Sequence, residues 1–289
     1  MACIPSASCV MASMETASKG GETMRRYLNL SRLLFLMGAM AVGLMGTIVH
    51  ADTSLEQSGT VSVVDGGASL QDPENPEVPT DPGPGTAESG PLRIDYVSPL
   101  QFGERKIRET DRVYPALAQQ FYTDIGPRGS YIQLTDQRAL STGWSLQVKQ
   151  ETQFRNPIIQ EAGEQELKGA VLSLDKGWAN SSSSSEAPVV TRETIALNTI
   201  GSTYEVATAA AGTGQGVWTI SFGASDTNTG HQKPTLTPVK DEAGQPILEK
   251  ESNKPVYQNS AITLTIPETT VIHPVHYETK ITWLLAELP

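Results

Sequence analysis

Thr142-Gly143-Trp144-Ser145-Leu146-Gln147-Val148-Lys149 decides the fold. From Trp144 onward apolar and polar residues alternate, and side chains two apart in an extended chain share a face. Trp144, Leu146 and Val148 therefore point one way and Ser145, Gln147 and Lys149 the other, which predicts a half-buried strand. The end of the chain repeats the pattern. There Tyr277, Thr279, Ile281, Trp283 and Leu285 share a face opposite Glu278, Lys280 and Thr282. Each strand thus carries a Trp-x-Leu tripeptide, an aromatic knob beside an aliphatic one. The two are expected to lie side by side in one structural unit.

Outward from these strands the same grammar continues. Leu92-Arg93-Ile94-Asp95-Tyr96-Val97 and Tyr131-Ile132-Gln133-Leu134 alternate, and Leu167 to Leu174, Val217 to Phe222 and Ala261 to Ile266 read as further strands. Glycine and proline punctuate them, and no helical period runs for three turns. Asn180 to Ser185 and Asp226 to Lys233 read as polar loops. Glu161 to Lys168 reads either as one helical turn or as the approach to a strand. The expectation is a single all-β domain, sandwich- or barrel-like, over residues 92–289.

What precedes that domain is of another kind. Met24-Arg25-Arg26-Tyr27 opens a basic segment reaching Arg32, an uncharged run follows from Leu33 to Val49, and His50-Ala51 ends it. This is the layout of a secretory signal peptide, 24–51, with cleavage expected after Ala51. The other reading is a membrane anchor, for which the run falls short of the roughly 20 apolar residues a span needs. Residues 1–23 hold both cysteines, Cys3 and Cys9, and displace the basic segment inward. They read as a misassigned upstream extension, with translation starting at Met24. Residues 52–91 contain Asp72-Pro73-Glu74-Asn75-Pro76-Glu77-Val78-Pro79-Thr80-Asp81-Pro82-Gly83-Pro84-Gly85. Prolines that forbid ladders and acids that repel predict a flexible, solvated linker.

Composition excludes several functions. The formal net charge is −11, which argues against nucleic acid, where basic patches supply the affinity. It argues equally against charge-driven attachment to polyanionic wall polymers. With no cysteine beyond Cys9, the exported part has no disulfide framework and no thiol chemistry. His273-Pro274-Val275-His276 is the one close histidine pair, and its proline disfavours the helix a metal pair would use. No Gly-x-Ser-x-Gly elbow is present. Gly212-Thr213-Gly214-Gln215-Gly216 precedes a strand and lacks the Lys-Ser/Thr of a phosphate loop. No catalytic residue, metal site or cofactor is indicated, and the chain is expected not to be an enzyme.

The tryptophans admit two roles. Buried, each removes on the order of 200 Å² from water, which is several kcal/mol of stabilisation. Exposed, an indole face stacks on a sugar ring and its N–H holds an acceptor. A tryptophan can do both, packed on one side and open on the other. Asp136 and Arg138, two apart before Trp144, either orient a ligand or lock a turn. Trp218 alternates with Ile220 and Phe222 and is expected in the core. Trp178 follows Asp175-Lys176-Gly177 and is expected exposed, where it would extend an aromatic surface.

The chain from Leu92 to its end resembles the WxL domain of Gram-positive cell-surface proteins. The resemblance rests on Leu92 to Gly103, on Leu134-Thr135-Asp136-Gln137-Arg138 followed by Gly143-Trp144-Ser145-Leu146, and on Leu167-Lys168-Gly169-Ala170. It extends through Gly216 to Gly223 and Leu264-Thr265-Ile266-Pro267 to Tyr277 through Leu285. Ala139-Leu140 and Leu284 depart from the usual pattern, and the apolar Leu284 suggests that both faces of the last strand are covered. The resemblance implies a secreted protein retained at the cell wall by non-covalent binding of peptidoglycan. It also implies assembly with other surface proteins, including a membrane-anchored partner. Trp144, Leu146, Trp283 and Leu285 are then the binding candidates, with Asp136, Arg138 and Trp178 in support. The chain carries no sorting motif after these strands, so retention is expected from the folded domain. Two other readings are a protein–protein assembly module that never touches glycan, and a wall hydrolase with an unrecognised carboxylate pair.

Overall fold

A computed structural model describes residues 69–86, 88–161, 163–250 and 252–289. The upstream extension, the signal peptide and the first part of the linker lie outside the described residues. The elements are, in order, β1 (Gln71–Asp72), β2 (Asn75–Pro79), β3 (Leu92–Val97), β4 (Val113–Leu117), β5 (Ser130–Asp136), β6 (Trp144–Gln150), β7 (Val171–Leu174), β8 (Gly177–Asn180), β9 (Val189–Val190), β10 (Ile195–Leu197), β11 (Thr203–Ala209), β12 (Gly216–Phe222), β13 (Leu236–Pro238), β14 (Tyr257–Thr265) and β15 (Ile281–Glu287). No helix occurs among the described residues, and the all-β, sandwich-like expectation holds.

Two four-stranded antiparallel sheets make the sandwich. One has the order β15-β6-β11-β9 and the other β3-β5-β12-β8. β15 passes β3 at one seam and β9 passes β8 at the other, so the sheets face each other. A five-stranded sheet adds the path β10-β7-β14-β13, with β4 on β14. Alternation supplies the filling: Leu146 and Val148 from β6, Leu134 and Ile132 from β5, Ile220 and Phe222 from β12, Leu172 and Leu174 from β7 and Ile262 from β14 form one core. Burial of that apolar surface is the main stabilising term in a chain whose described part holds no disulfide.

β5 is buried on both faces, which alternation alone does not explain. Its outward residues Tyr131, Gln133 and Thr135 lie beneath the segment from Ser69 onward. Gln133 donates from Nε2 to the carbonyl of Ser69 at 3.2 Å and accepts at Oε1 from the Gln71 N–H at 2.9 Å. Leu70 packs on a second small cluster of Tyr96, Phe121 and Tyr131.

The linker expectation is therefore corrected from Ser69 onward: this stretch is a hairpin laid on the domain. Asp72 and Glu74 are buried, and one cation holds both. Arg128 reaches Asp72 with Nε at 2.8 Å and Nη2 at 2.9 Å, and Glu74 with Nη1 at 3.3 Å. Glu74 also accepts the Ser225 N–H at 2.6 Å and its hydroxyl. Mutual repulsion of the acids is overcome by a guanidinium 56 positions away. Burial raises the Glu74 carboxyl above its usual range despite the Ser225 bonds. Burial acts the same way on Asp72, but its Arg128 bonds win and hold it low.

Other expectations shift at their edges. The Leu167–Leu174 strand begins only at Val171, because Gly169 turns the chain at φ +72°. The last strand begins at Ile281 and not at Tyr277. Glu161 to Lys168 is neither a helical turn nor a strand, but a turn region joined to Arg155 by a single bridge at Glu166. β4 and β11 are strands that periodicity did not mark.

Candidate functional site

The two Trp-x-Leu strands are neighbours. β15 pairs antiparallel with β6 without a register shift, setting Trp283 beside Val148, Leu285 beside Leu146 and Glu287 beside Trp144. The inward rows of both strands thus form one apolar stripe on one sheet.

Their tryptophans occupy different environments. Trp144 is 0% exposed and its Nε1–H donates to the Gly214 carbonyl at 3.1 Å. Gly214 sits at φ +68°, and a Cβ there would lie 2.8 Å from Trp144 Nε1. Gly143, at φ +97°, brings the chain against Ala209, whose carbonyl oxygen would lie 2.4 Å from an added Cβ. Glycine at both places lets the indole be sealed in. Leu146 is equally buried.

Trp283 is only partly buried. It tilts against Phe222 with ring centroids 6.4 Å apart, and it lines a small void with Val97, Leu100, Leu174 and Ile262. Trp178 donates its indole N–H to Gly223 at 2.9 Å, and Trp218 donates to Gln215 at 3.0 Å. Trp283 is the one tryptophan whose N–H has no partner among the described residues. Leu285 beside it is also half-buried.

The expected exposure of Trp178 is corrected. It is 2% exposed, because the polar loop folds over it: a Cβ on Gly230 would lie 2.5 Å from its Cζ3. A glycine placed flat on an indole covers it as well as an apolar side chain would. Trp178 therefore adds nothing to an exposed aromatic surface.

Asp136 and Arg138 form the clasp of the paired strands. Arg138 Nε donates to Asp136 Oδ1 at 2.9 Å and Nη2 to Oδ2 at 2.8 Å. The same guanidinium reaches the Gly143 carbonyl at 3.0 Å and Glu287 Oε1 at 2.9 Å. Ser141 and the Arg138 N–H also donate to Asp136. Thr142 Oγ1–H donates to Glu287 at 3.0 Å, and the Leu288 N–H to the Gly143 carbonyl at 3.1 Å. Burial alone would raise the Asp136 carboxyl, but the Arg138 bonds more than offset it and hold it below its usual range. Arg138 is raised in turn, chiefly by its bonds to Asp136. Glu287 was not singled out in the sequence. Only its place in the strand with Trp283 and Leu285 marks it.

Catalytic alternatives gain little geometry. His273 Nε2 lies 2.8 Å from Glu164 Oε2 in a partly exposed pair. Among the described residues no group of three or more His, Cys, Asp or Glu could hold a metal.

The fold and the paired strands define an all-β module organised around two Trp-x-Leu strands in one sheet. The family model for the WxL domain, a surface cell wall-binding domain, matches residues 50–289, and the chain belongs to that family. It is accordingly a cell-surface protein held at the cell wall. Searches of curated proteins and of solved structures return no match.

Proposed function

We propose that the protein binds peptidoglycan non-covalently and without catalysis, through the sheet that carries both Trp-x-Leu strands. It would do so as part of a surface complex with other proteins, a membrane-anchored partner among them. What carries this reading is the match to a surface wall-binding family along residues 50–289. Within the sheet, the open side of Trp283 and its N–H, unpartnered among the described residues, are the contact groups proposed for glycan, with Leu285. Trp144 and Leu146, sealed from solvent, act by positioning that strand, and Asp136 and Arg138 by clasping it. An indole stacked on a sugar ring needs no charge on the ligand, so binding by this acidic chain is expected to change little with salt.

Co-sedimentation of the secreted protein with peptidoglycan stripped of protein and teichoic acid tests this. Wild type should pellet, and a folded Trp283→Ala variant should remain in solution. Wild type left in the supernatant would sink glycan binding and leave a protein-assembly module. A steep loss of binding with added salt would argue against aromatic contacts.

A further inference from the structure

β15 has one satisfied edge. Leu288 N–H to Gly143 O and Glu151 N–H to Lys280 O fix which residues bond across to β6. They are the even-numbered ones, so the N–H and C=O groups of Ile281, Trp283, Leu285 and Glu287 point away from β6. No second strand pairs there, and no backbone bond from elsewhere in the described residues meets them.

The other edges of the fold are blunted. Thr86 N–H bonds to Asp95 O at 2.9 Å, and the Ile94 N–H to Glu88 at 3.0 Å, along the outer side of β3. β4 carries Pro115, whose carbonyl accepts from Arg105 at 2.9 Å, and its Leu117 N–H bonds to Gln101. β2 carries Pro76 and Pro79, and β8, β9, β10 and β13 have four residues or fewer. Prolines, coverage and shortness are the usual protections of sheet edges. β15 has seven residues, no proline and no register shift. Its single charge, Glu287, is engaged by Arg138.

We propose that β15 pairs antiparallel with β15 of a second copy of this chain, about a two-fold axis at Leu284. One register engages all four open residues: Ile281 bonds with the second copy's Glu287, and Trp283 with its Leu285. Leu284 then faces its own equivalent. The strand is self-complementary there, because Trp meets Leu on the inner face and leucine meets leucine on the outer. No like charges oppose, since Glu287 meets an isoleucine. Leu284 is 38% exposed on the outer face. Self-pairing covers it. The contact is confined to one strand edge, so it describes a weak dimer that forms where copies are crowded.

Two variants of the secreted protein test the pairing, with Cys3 and Cys9 changed to serine if either is retained. In this register Leu284 is a non-hydrogen-bonded pair, with Cα atoms about 4.5 Å apart, which suits a disulfide. Leu284→Cys should give a covalent dimer on mild oxidation much faster than Glu205→Cys, on an exposed position of the same sheet. Leu284→Lys sets two ammonium groups against each other and should weaken the dimer at least tenfold while leaving the thermal melt in place. Sedimentation equilibrium of wild type, from roughly 10 μM to roughly 1 mM for so small a contact, should show a monomer–dimer equilibrium. A wild type that stays monomeric, with Leu284→Cys no faster to cross-link than Glu205→Cys, overturns the proposal and leaves the edge to a strand of another protein. The readout needs no glycan, so it is independent of wall binding.

Discussion

One tripeptide stands at two places in the sheet and has two different fates. In β6, flanked by β15 and β11, Trp144 and Leu146 are sealed in the core, and the indole N–H is satisfied by Gly214. In β15, at the edge, Trp283 and Leu285 face the same core but stay half open, and the indole N–H has no partner among the described residues. An identical motif is scaffold in the middle of a sheet and surface at its margin. Position decides this, because an interior strand has neighbours on both sides and an edge strand has one.

The largest effect should come from breaking the buried member. Trp144→Ala removes a fully enclosed indole and is expected to cost about 4 kcal/mol, read as a fall in the chemical denaturation midpoint. Arg138→Ala leaves Asp136 buried without its partner and should cost about 3 kcal/mol. That loss has a pH signature. The Asp136 carboxyl is depressed in the folded state, so its stabilisation is complete above its ordinary value of 3.8 and fades as pH falls below it. The gap between wild type and Asp136→Asn should therefore close on acidification, when stability is followed from pH 6 downward. A gap that stays constant would mean that Arg138 does not act through this carboxylate.

Gly214→Ala sharpens the comparison, because it attacks the seal over Trp144, where an added Cβ would meet Ala209 Cβ at 2.6 Å as well as the indole. A side chain at φ +68° and 2.8 Å from the indole nitrogen should cost about 2 kcal/mol, with wall binding retained in the folded fraction. The smallest stability change is expected for Trp283→Ala, about 1 kcal/mol for a half-buried ring. Its wall co-sedimentation should nevertheless be lost. Equal melts for Trp144→Ala and Trp283→Ala would erase the distinction between the strands.

The sandwich-like class and the inward rows of the main strands were legible, because alternation is local and period two is hard to mistake; the adjacency of the Trp-x-Leu strands was an expectation from the repeated tripeptide, not from alternation. Asp136 and Arg138 were legible as a pair on one face by the same period of two, with orienting a ligand and locking a turn both open. Glu287 as the third member of their clasp was not, since 145 positions separate it from its Thr142 partner. Arg128 is the same case: nothing near Asp72 or Glu74 in sequence announces their cation. Trp178 was misread because a polar loop is counted as solvent until a glycine is seen lying on the ring. Side-chain periodicity reports which face is inward, but not what a distant segment lays upon the other.

That Arg128 hook has a mechanical meaning. A load that enters at Ser69 meets first the hairpin that Asp72 and Glu74 fasten to Arg128 and Ser225. The hairpin must peel off first, releasing roughly 60 Å of chain between Ser69 and Gly85, before any sheet strand is strained. The hairpin is then a sacrificial link between a pull at Ser69 and the domain held at the wall, and Arg128→Ala should remove this first release from a force–extension trace.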